Sequence, residues 1–295
     1  MTRAPVRVGL VGAGTWAARM HAPMLAAGPE TVLGGVWSRR SDAAEVLAAA
    51  HGVPAAPTFA DLLRECEAVA FAVPPDVQAA LAVEAARAGR AVLLEKPVAL
   101  DLDAARRLAD AVGEAGVVSQ VVFTKRYHAR TRAFLAAAGG FDADGARACY
   151  LHGGFLGGPF ATGWRLTHGA LFDLGPHLLD LLDAALGPIV DVRAAGRRSR
   201  WTELTCAHRS GAVSQVSLSG GVAVPRVVTT VELFGAAGTL AYDTAGMDHD
   251  ECWPVVRAEF ADAVRTGRPH PLDVHRGLMI QELLARAAAD PALRD

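Results

Sequence analysis

At 295 residues the chain exceeds what one compact core usually holds, which points to two domains with function expected in a cleft between them. Its formal net charge of −2, with Lys and Arg interspersed, leaves no basic face for a row of phosphates and argues against a nucleic-acid partner. Hydrophobic residues make up 52%, largely alanine, yet no apolar run approaches the ~18 to 20 residues that cross a bilayer.

The start, MTRAPVRVGLVGAG, has no apolar block ending in a small-residue cleavage site, so a cytoplasmic protein is expected. Cys66, Cys149, Cys206 and Cys252 form no C-x-x-C pair, which argues against a zinc knuckle or a disulfide framework.

Short apolar runs at Val6–Val11, Val32–Trp37, Ala68–Val73, Ala91–Leu94 and Val117–Phe123 read as strands. Helical patterns fill the gaps between them. Ser41 is expected to cap a helix ending before Gly52, Thr58 with Asp61 forms a capping-box variant, Gly89 follows a helix over Asp76–Ala88, and Asp101 caps one running to Ala115. Strands alternating with helices make a parallel α/β sheet.

Beyond Phe123 the pattern changes. A helix at Ala129–Ala138 precedes a strand at Arg147–Leu151, then GGFLGGPFATGW, which has no period, then a strongly apolar helix at Ala170–Leu186. Strand-like runs follow one another at Ile189–Arg193, Thr202–His208, Ala212–Ser219 and Val227–Phe234, a turn-rich GAAGTL comes next, and helices near Val255–Arg265 and His275–Ala289 close the chain. Strands in succession predict an open, mostly antiparallel sheet. The expected division is an α/β domain over 1–122 and an α+β domain over 123–295.

Gly12-Ala13-Gly14-Thr15-Trp16-Ala17 is G-x-G-x-x-A. In such a loop one glycine makes the tight turn, a second exposes backbone to a pyrophosphate, and a small third residue lets helix and strand pack closely. Unpaired N–H groups at the helix start then face the anion. The competing reading is a tight strand-to-helix turn and nothing more, but the strand before and the helix after favour dinucleotide binding. At the end of the second strand Ser38 precedes Arg39 and Arg40, and no carboxylate stands there to bind ribose hydroxyls. A hydroxyl and two guanidinium forks suit a ribose phosphate, so NADP(H) is expected in preference to NAD(H), the alternative being two solvated arginines.

With these features in place the chain resembles the Gfo/Idh/MocA family of glucose-fructose oxidoreductases and inositol dehydrogenases. The similarity runs in order through the glycine loop with His21-Ala22-Pro23, AVPPDVQ at Ala72–Gln78 (with Val73 and Pro74), AGRAVLLEKPVAL at Ala88–Leu100, DLGPHLLDL at Asp173–Leu181 and FGAAGTL at Phe234–Leu240. It implies that Glu95 and Lys96 border the cofactor, that Lys96, Asp173 and His177 surround the reacting carbon, and that Glu95-Lys96-Pro97 contains a cis proline. It also implies that 1–122 is a Rossmann dinucleotide-binding domain and 123–295 a domain for substrate binding and oligomerisation, giving a dimer or tetramer joined through exposed sheet faces carrying apolar alternation. Gln78 departs from the histidine of many relatives, a single Gly169 precedes Asp173 where two glycines are common, and the second half is short after Tyr242.

These residues suit hydride transfer. Histidine moves a proton near neutrality, a carboxylate four residues earlier on one helix shares its face, and an ammonium stabilises charge developing on oxygen. The competing readings are a solvated Lys96, a core His177 satisfied by Asp173 or Asp180, and Asp173 as a helix-start carboxylate. A metal at Asp173 and His177 lacks a third ligand and would face Lys96, and Asp248-His249-Asp250-Glu251-Cys252 reads as a polar surface loop, so no metal is expected.

Trp164 and Arg165 are candidates for a lid contacting substrate hydroxyls, or for a connection anchored by its tryptophan. Arg126, Tyr127 and His152 are weaker candidates of the same kind. The expectation is an NADP(H)-preferring oxidoreductase acting on a hydroxyl or ketone of a sugar, cyclitol or dihydrodiol. The alternatives are a nucleotide-binding sensor or assembly subunit, or a reductase of an imine or unsaturated substrate.

Overall fold

The computed structural model describes residues 4–295. The chain forms two compact units, one made of the residues up to Val122 with Asp250–Leu278, the other of Phe123–His249 with Met279–Asp295. The single expected boundary at 122/123 thus misses a return of the chain to the first unit.

In the first unit β1 (Val6–Val11), β2 (Thr31–Trp37), β3 (Ala68–Phe71), β4 (Ala91–Leu94) and β5 (Ser119–Val121) form a sheet in the order β2-β1-β3-β4-β5. All four pairings are parallel. Their nearly unbroken apolar runs follow from burial on both faces, and β3 and β4 are buried at every residue.

Between them lie α1 (Ala22–Ala26), α2 (Ser41–Ala50), α3 (Phe59–Glu65), α4 (Pro75–Arg87) and α5 (Leu102–Ala115). The Thr58–Asp61 capping box starts α3, and Asp101 caps α5, which ends on Gly116 in the left-handed region. Ser41 does not cap α2. Arg40 holds the cap position without a side-chain bond, because Ser41 is already helical.

In the second unit α6 (Ala129–Ala138) precedes β6 (Gly145–Leu151), and α7 (Gly163–Asp173) and α8 (Gly175–Leu186) precede β7 (Ile189–Arg197), β8 (Trp201–His208), β9 (Val213–Ser219), β10 (Val228–Gly235) and β11 (Gly238–Asp243). The expected helix over Ala170–Leu186 is instead two. The first begins at Gly163, inside the stretch read as aperiodic, and bends at Gly169, whose φ of +69° and approach to the Arg198 carbonyl exclude a side chain.

The chain then returns to the first unit through α9 (Cys252–Thr266) and enters α10 (Val274–Ala288), which carries it back to the second. Within the first unit this return is tied to β5: Val274 N–H donates to Ser119 Oγ at 3.0 Å and Gln120 Nε2 to the Val256 carbonyl at 3.1 Å. Arg257 Nε also donates to Glu30 Oε2 at 2.7 Å. The last strand, β12 (Leu293–Arg294), completes a second-unit sheet in the order β11-β10-β6-β9-β8-β7-β12.

Four pairings of that sheet are antiparallel, while β6–β9 and β7–β12 are parallel. Helices α6, α7 and α8 contact its strands, and the inward residues Ala148, Val216, Leu204, Val192 and Val231 are buried beneath them. The other face differs from the apolar alternation expected of it, because one cross-strand row there runs Arg193, Thr205, Gln215, Arg147, Glu232. Large apolar side chains on it, such as Trp201, Val213 and Phe234, lie at strand ends. Among the described residues no helix is long and apolar enough to cross a membrane.

Candidate functional site

The chain leaves β1 at Gly12, beside the carboxyl end of β3, where the strand order reverses and open α/β sheets bind ligands. Gly12 has φ +115°, and a Cβ there would stand 2.4 Å from the Ala72 carbonyl oxygen and 3.0 Å from Val73 Cγ1. Gly14 is the opposite case. A Cβ on it would meet no atom within 4 Å, so its backbone faces open space. Ala17, the small third residue, is fully buried. Instead of a regular helix from the loop, Ala17–His21 forms one wide π-type turn before α1, a distortion that recurs at functional sites.

Two substitutions separate turn from ligand. Gly12→Ala is expected to cost about 1–3 kcal/mol of stability through strain and collision, read as a lower melting temperature. Gly14→Val should leave melting unchanged and lower dinucleotide affinity at least tenfold in a fluorescence titration.

At the end of β2, Ser38 Oγ accepts the Arg40 N–H at 3.3 Å, and Arg39 and Arg40 are exposed, with no side-chain partner among the described residues. Val73 and Pro74 lie between β3 and α4, Pro74 holding the cap position of α4.

Beyond β4, Glu95 gathers the loop. It accepts the Trp16 indole N–H at 2.7 Å and pairs with His21 Nε2 at 2.8 Å. Trp16 also packs edge-on to Trp253, 5.8 Å between centroids. Burial would raise the Glu95 carboxyl, but His21, Trp16 and the Lys96 ammonium together hold it below the usual carboxylate range. The resulting stabilisation is in place above the unfolded carboxylate pKa and is lost as pH falls through the lower folded value.

The Lys96–Pro97 bond is cis, as the resemblance implied. Gln78, fully buried, clamps this turn: its Nε2 donates to the Glu95 carbonyl at 2.8 Å and its Oε1 accepts the Glu95 N–H at 2.8 Å. Gln78 and His21 hold Glu95 and its turn, and sequence reasoning gave neither a role. The ordered AVPPDVQ and His-Ala-Pro motifs were the available signals.

In the second unit Asp173 is the last residue of α7 and His177 the third of α8, with Leu174 between the helices. The argument from one continuous helical face therefore does not apply. A different element relates the two, namely Tyr150 near the end of β6. The Tyr150 and His177 ring centroids lie 5.9 Å apart, and burial, then the Asp173 charge, push the Tyr150 phenol up.

Arg165 Nε donates to Asp173 Oδ2 at 3.1 Å, and its guanidinium stands over the Trp164 ring at 4.6 Å. Trp164, Arg165, Asp173, Tyr150 and His177 thus form one cluster. His152 joins it edge-on to Tyr150 at 5.8 Å. Arg126 is engaged elsewhere: its Nη1 donates to both oxygens of the buried Asp180 at 3.0 Å, and Tyr127 is buried in the core. His249–Glu251 make a short 3-10 turn leading into α9.

A five-stranded parallel sheet with a glycine loop at its strand reversal, followed by a unit built on a mixed open sheet, defines a dinucleotide-binding protein of the Rossmann class. Residues 6–123 match the family model described as oxidoreductase family, NAD-binding Rossmann fold, and residues 145–241 match the GFO/IDH/MocA C-terminal domain. The chain belongs to the GFO/IDH/MocA family.

It is similar to UDP-N-acetylglucosamine 3-dehydrogenase of Acidithiobacillus ferrooxidans, 33% identical over 65% of this chain and 58% of that protein. It is 31% identical to dTDP-3,4-didehydro-2,6-dideoxy-alpha-D-glucose 3-reductase of Streptomyces violaceoruber over 64% of this chain and 57% of that one. To D-glucoside 3-dehydrogenase of Escherichia coli it is 28% identical over 70% of this chain and 62% of that protein. In each case the similarity spans less than two thirds of the relative's length. The fold is shared with the crystal structure of GenD2 from gentamicin A biosynthesis in complex with NAD, with a TM-score of 0.89, 24% identity, and coverage of 99% of this chain and 95% of that one.

Proposed function

We propose that this chain is an NADP(H)-preferring oxidoreductase moving a hydride between nicotinamide and a hydroxyl or ketone carbon of a sugar or sugar-like substrate. The place of the glycine loop carries the dinucleotide part: it leaves β1 where the strand order reverses, with Gly12 tight against Ala72 and the Gly14 backbone open for a pyrophosphate to approach. Three relatives named for position 3 of a sugar support a pyranose or a nucleotide-linked pyranose as the substrate class.

When bound, the nicotinamide accepts or supplies the hydride. The chain supplies the remainder. In this reading His177 takes the hydroxyl proton during oxidation and returns it during reduction, Asp173 orients the sugar or the ring, and Lys96 stabilises negative charge developing on the oxygen. Glu95, held by His21 and Trp16, and Gln78, holding the backbone of Glu95, keep the turn carrying Lys96 in place. Trp164 and Arg165 offer a ring face and a guanidinium to substrate hydroxyls. The family resemblance supports assembly as a homo-oligomer.

The preference for NADP(H) rests on Arg39 and Arg40. Replacing both with Ser is expected to raise KM for NADPH about tenfold, the worth of a lost charge-assisted hydrogen bond, with KM for NADH unchanged. Equal losses on both cofactors would remove the preference from the account. The overall reading is tested by mixing the protein with NADP+ or NAD+ and methyl α-D-glucoside, myo-inositol or UDP-N-acetylglucosamine while following absorbance at 340 nm. Turnover with one of them is expected, whereas cofactor binding without turnover would favour a sensor.

A further inference from the structure

Tyr150 stands at the centre of the second-unit cluster, and the reading above gives it no task. Its ring is fixed from several sides. The Lys125 ammonium, on a side chain only 3% exposed, lies 4.3 Å from the ring centroid, the His177 and His152 rings are 5.9 and 5.8 Å away, and the strand holds its backbone between β9 and β10. A cation held over one face and two imidazoles beside the ring leave the side chain little rotational freedom.

Its hydroxyl, by contrast, makes no hydrogen bond among the described residues, and the side chain is only partly buried. The two other tyrosines in the chain are placed differently: Tyr127 is buried in the core, and the hydroxyl of Tyr242 bonds Thr131 at 2.9 Å. A rigid ring carrying an unused donor beside the proposed acid/base is the arrangement of a ligand-reading group.

We infer that Tyr150 is a substrate-contacting, specificity-determining residue whose hydroxyl donates a hydrogen bond to a sugar oxygen on a carbon neighbouring the one served by His177. The inference rests on the reading of His177 above. Burial and the nearby Asp173 carboxylate keep the phenol protonated through the neutral range, so it acts as a donor and leaves proton abstraction to the histidine. Because a site built to bond a hydroxyl discriminates against an analogue lacking it, Tyr150 would select sugars with an oxygen at that carbon.

The test is Tyr150→Phe, which keeps the ring and its contacts with Lys125 and His177, so a melting temperature equal to that of the unchanged protein confirms folding. For whichever of methyl α-D-glucoside, myo-inositol and UDP-N-acetylglucosamine is oxidised, kcat/KM should fall about tenfold in the variant. For one monodeoxy analogue of that compound, the two proteins should become equal.

No loss with the parent compound, or the same loss with every deoxy analogue, overturns the role. If none of the three compounds is oxidised, the proposed function fails, and Tyr150 is read instead by isothermal titration of the same compounds. Weaker binding by the variant then upholds the contact, and equal or absent binding by both proteins overturns it.

Discussion

His177→Asn is expected to lower kcat by about 10³-fold, within the range that general acid–base catalysis contributes, while dinucleotide affinity stays the same. Asparagine keeps a smaller polar planar group at a position beside Tyr150 that is 7% exposed, so packing changes little. It cannot carry a proton between oxygen and solvent. Steady-state rates at saturating cofactor with a parallel fluorescence titration separate the two quantities. A loss confined to cofactor affinity would assign His177 to binding instead.

Lys96→Met is the second large effect. Methionine preserves the length and apolar stem of the side chain and removes the ammonium that would stabilise charge on the reacting oxygen, so kcat should fall about 10²- to 10³-fold, the scale of losing one preorganised donor. The same ammonium is one of the groups holding Glu95 low, so its removal also lets the Glu95 carboxyl rise toward its ordinary value. His21 and Trp16 still bind Glu95 in the variant, and the Gln78 clamp on the turn is untouched, so the fold should survive. A variant that melts normally and retains full kcat would remove Lys96 from the chemistry.

Much of the first unit was legible because its signals are local. The run VRVGLV is short, apolar and rich in β-branched valine, as a buried parallel strand requires, and the Thr58–Asp61 box and the Asp101 cap are written in single side chains at fixed spacing. The second unit was harder. GAAGTL contains the tight β10–β11 turn and also the first residues of β11, whose pairing depends on β10 rather than on its own composition. The bend at Gly169 leaves no room for a side chain because the Arg198 carbonyl, nearly thirty residues away, lies against that position, which no window of sequence records. The return of residues 250–278 to the first unit depends on bonds from Ser119 and Gln120, again distant in sequence.

The candidate residues divide in the same way. The glycine loop and the arginines after β2 announce themselves through chemistry at short spacing. In the sequence Gln78 is only a departure from the histidine of many relatives, and its function is visible only when its amide meets both the N–H and the carbonyl of Glu95. Asp173 and His177 stand on two helices separated at Leu174, and Tyr150, whose ring lies beside His177 and whose phenol feels the Asp173 charge, belongs to a strand more than twenty residues earlier.

The most direct test of hydride exchange with a sugar carbon uses methyl α-D-glucoside, myo-inositol and UDP-N-acetylglucosamine carrying deuterium on their ring carbons, each incubated with NADP+. The account predicts that one of them delivers its label to the nicotinamide ring and slows when deuterated. Saturable NADP+ binding with no label transferred from any of the three would contradict it.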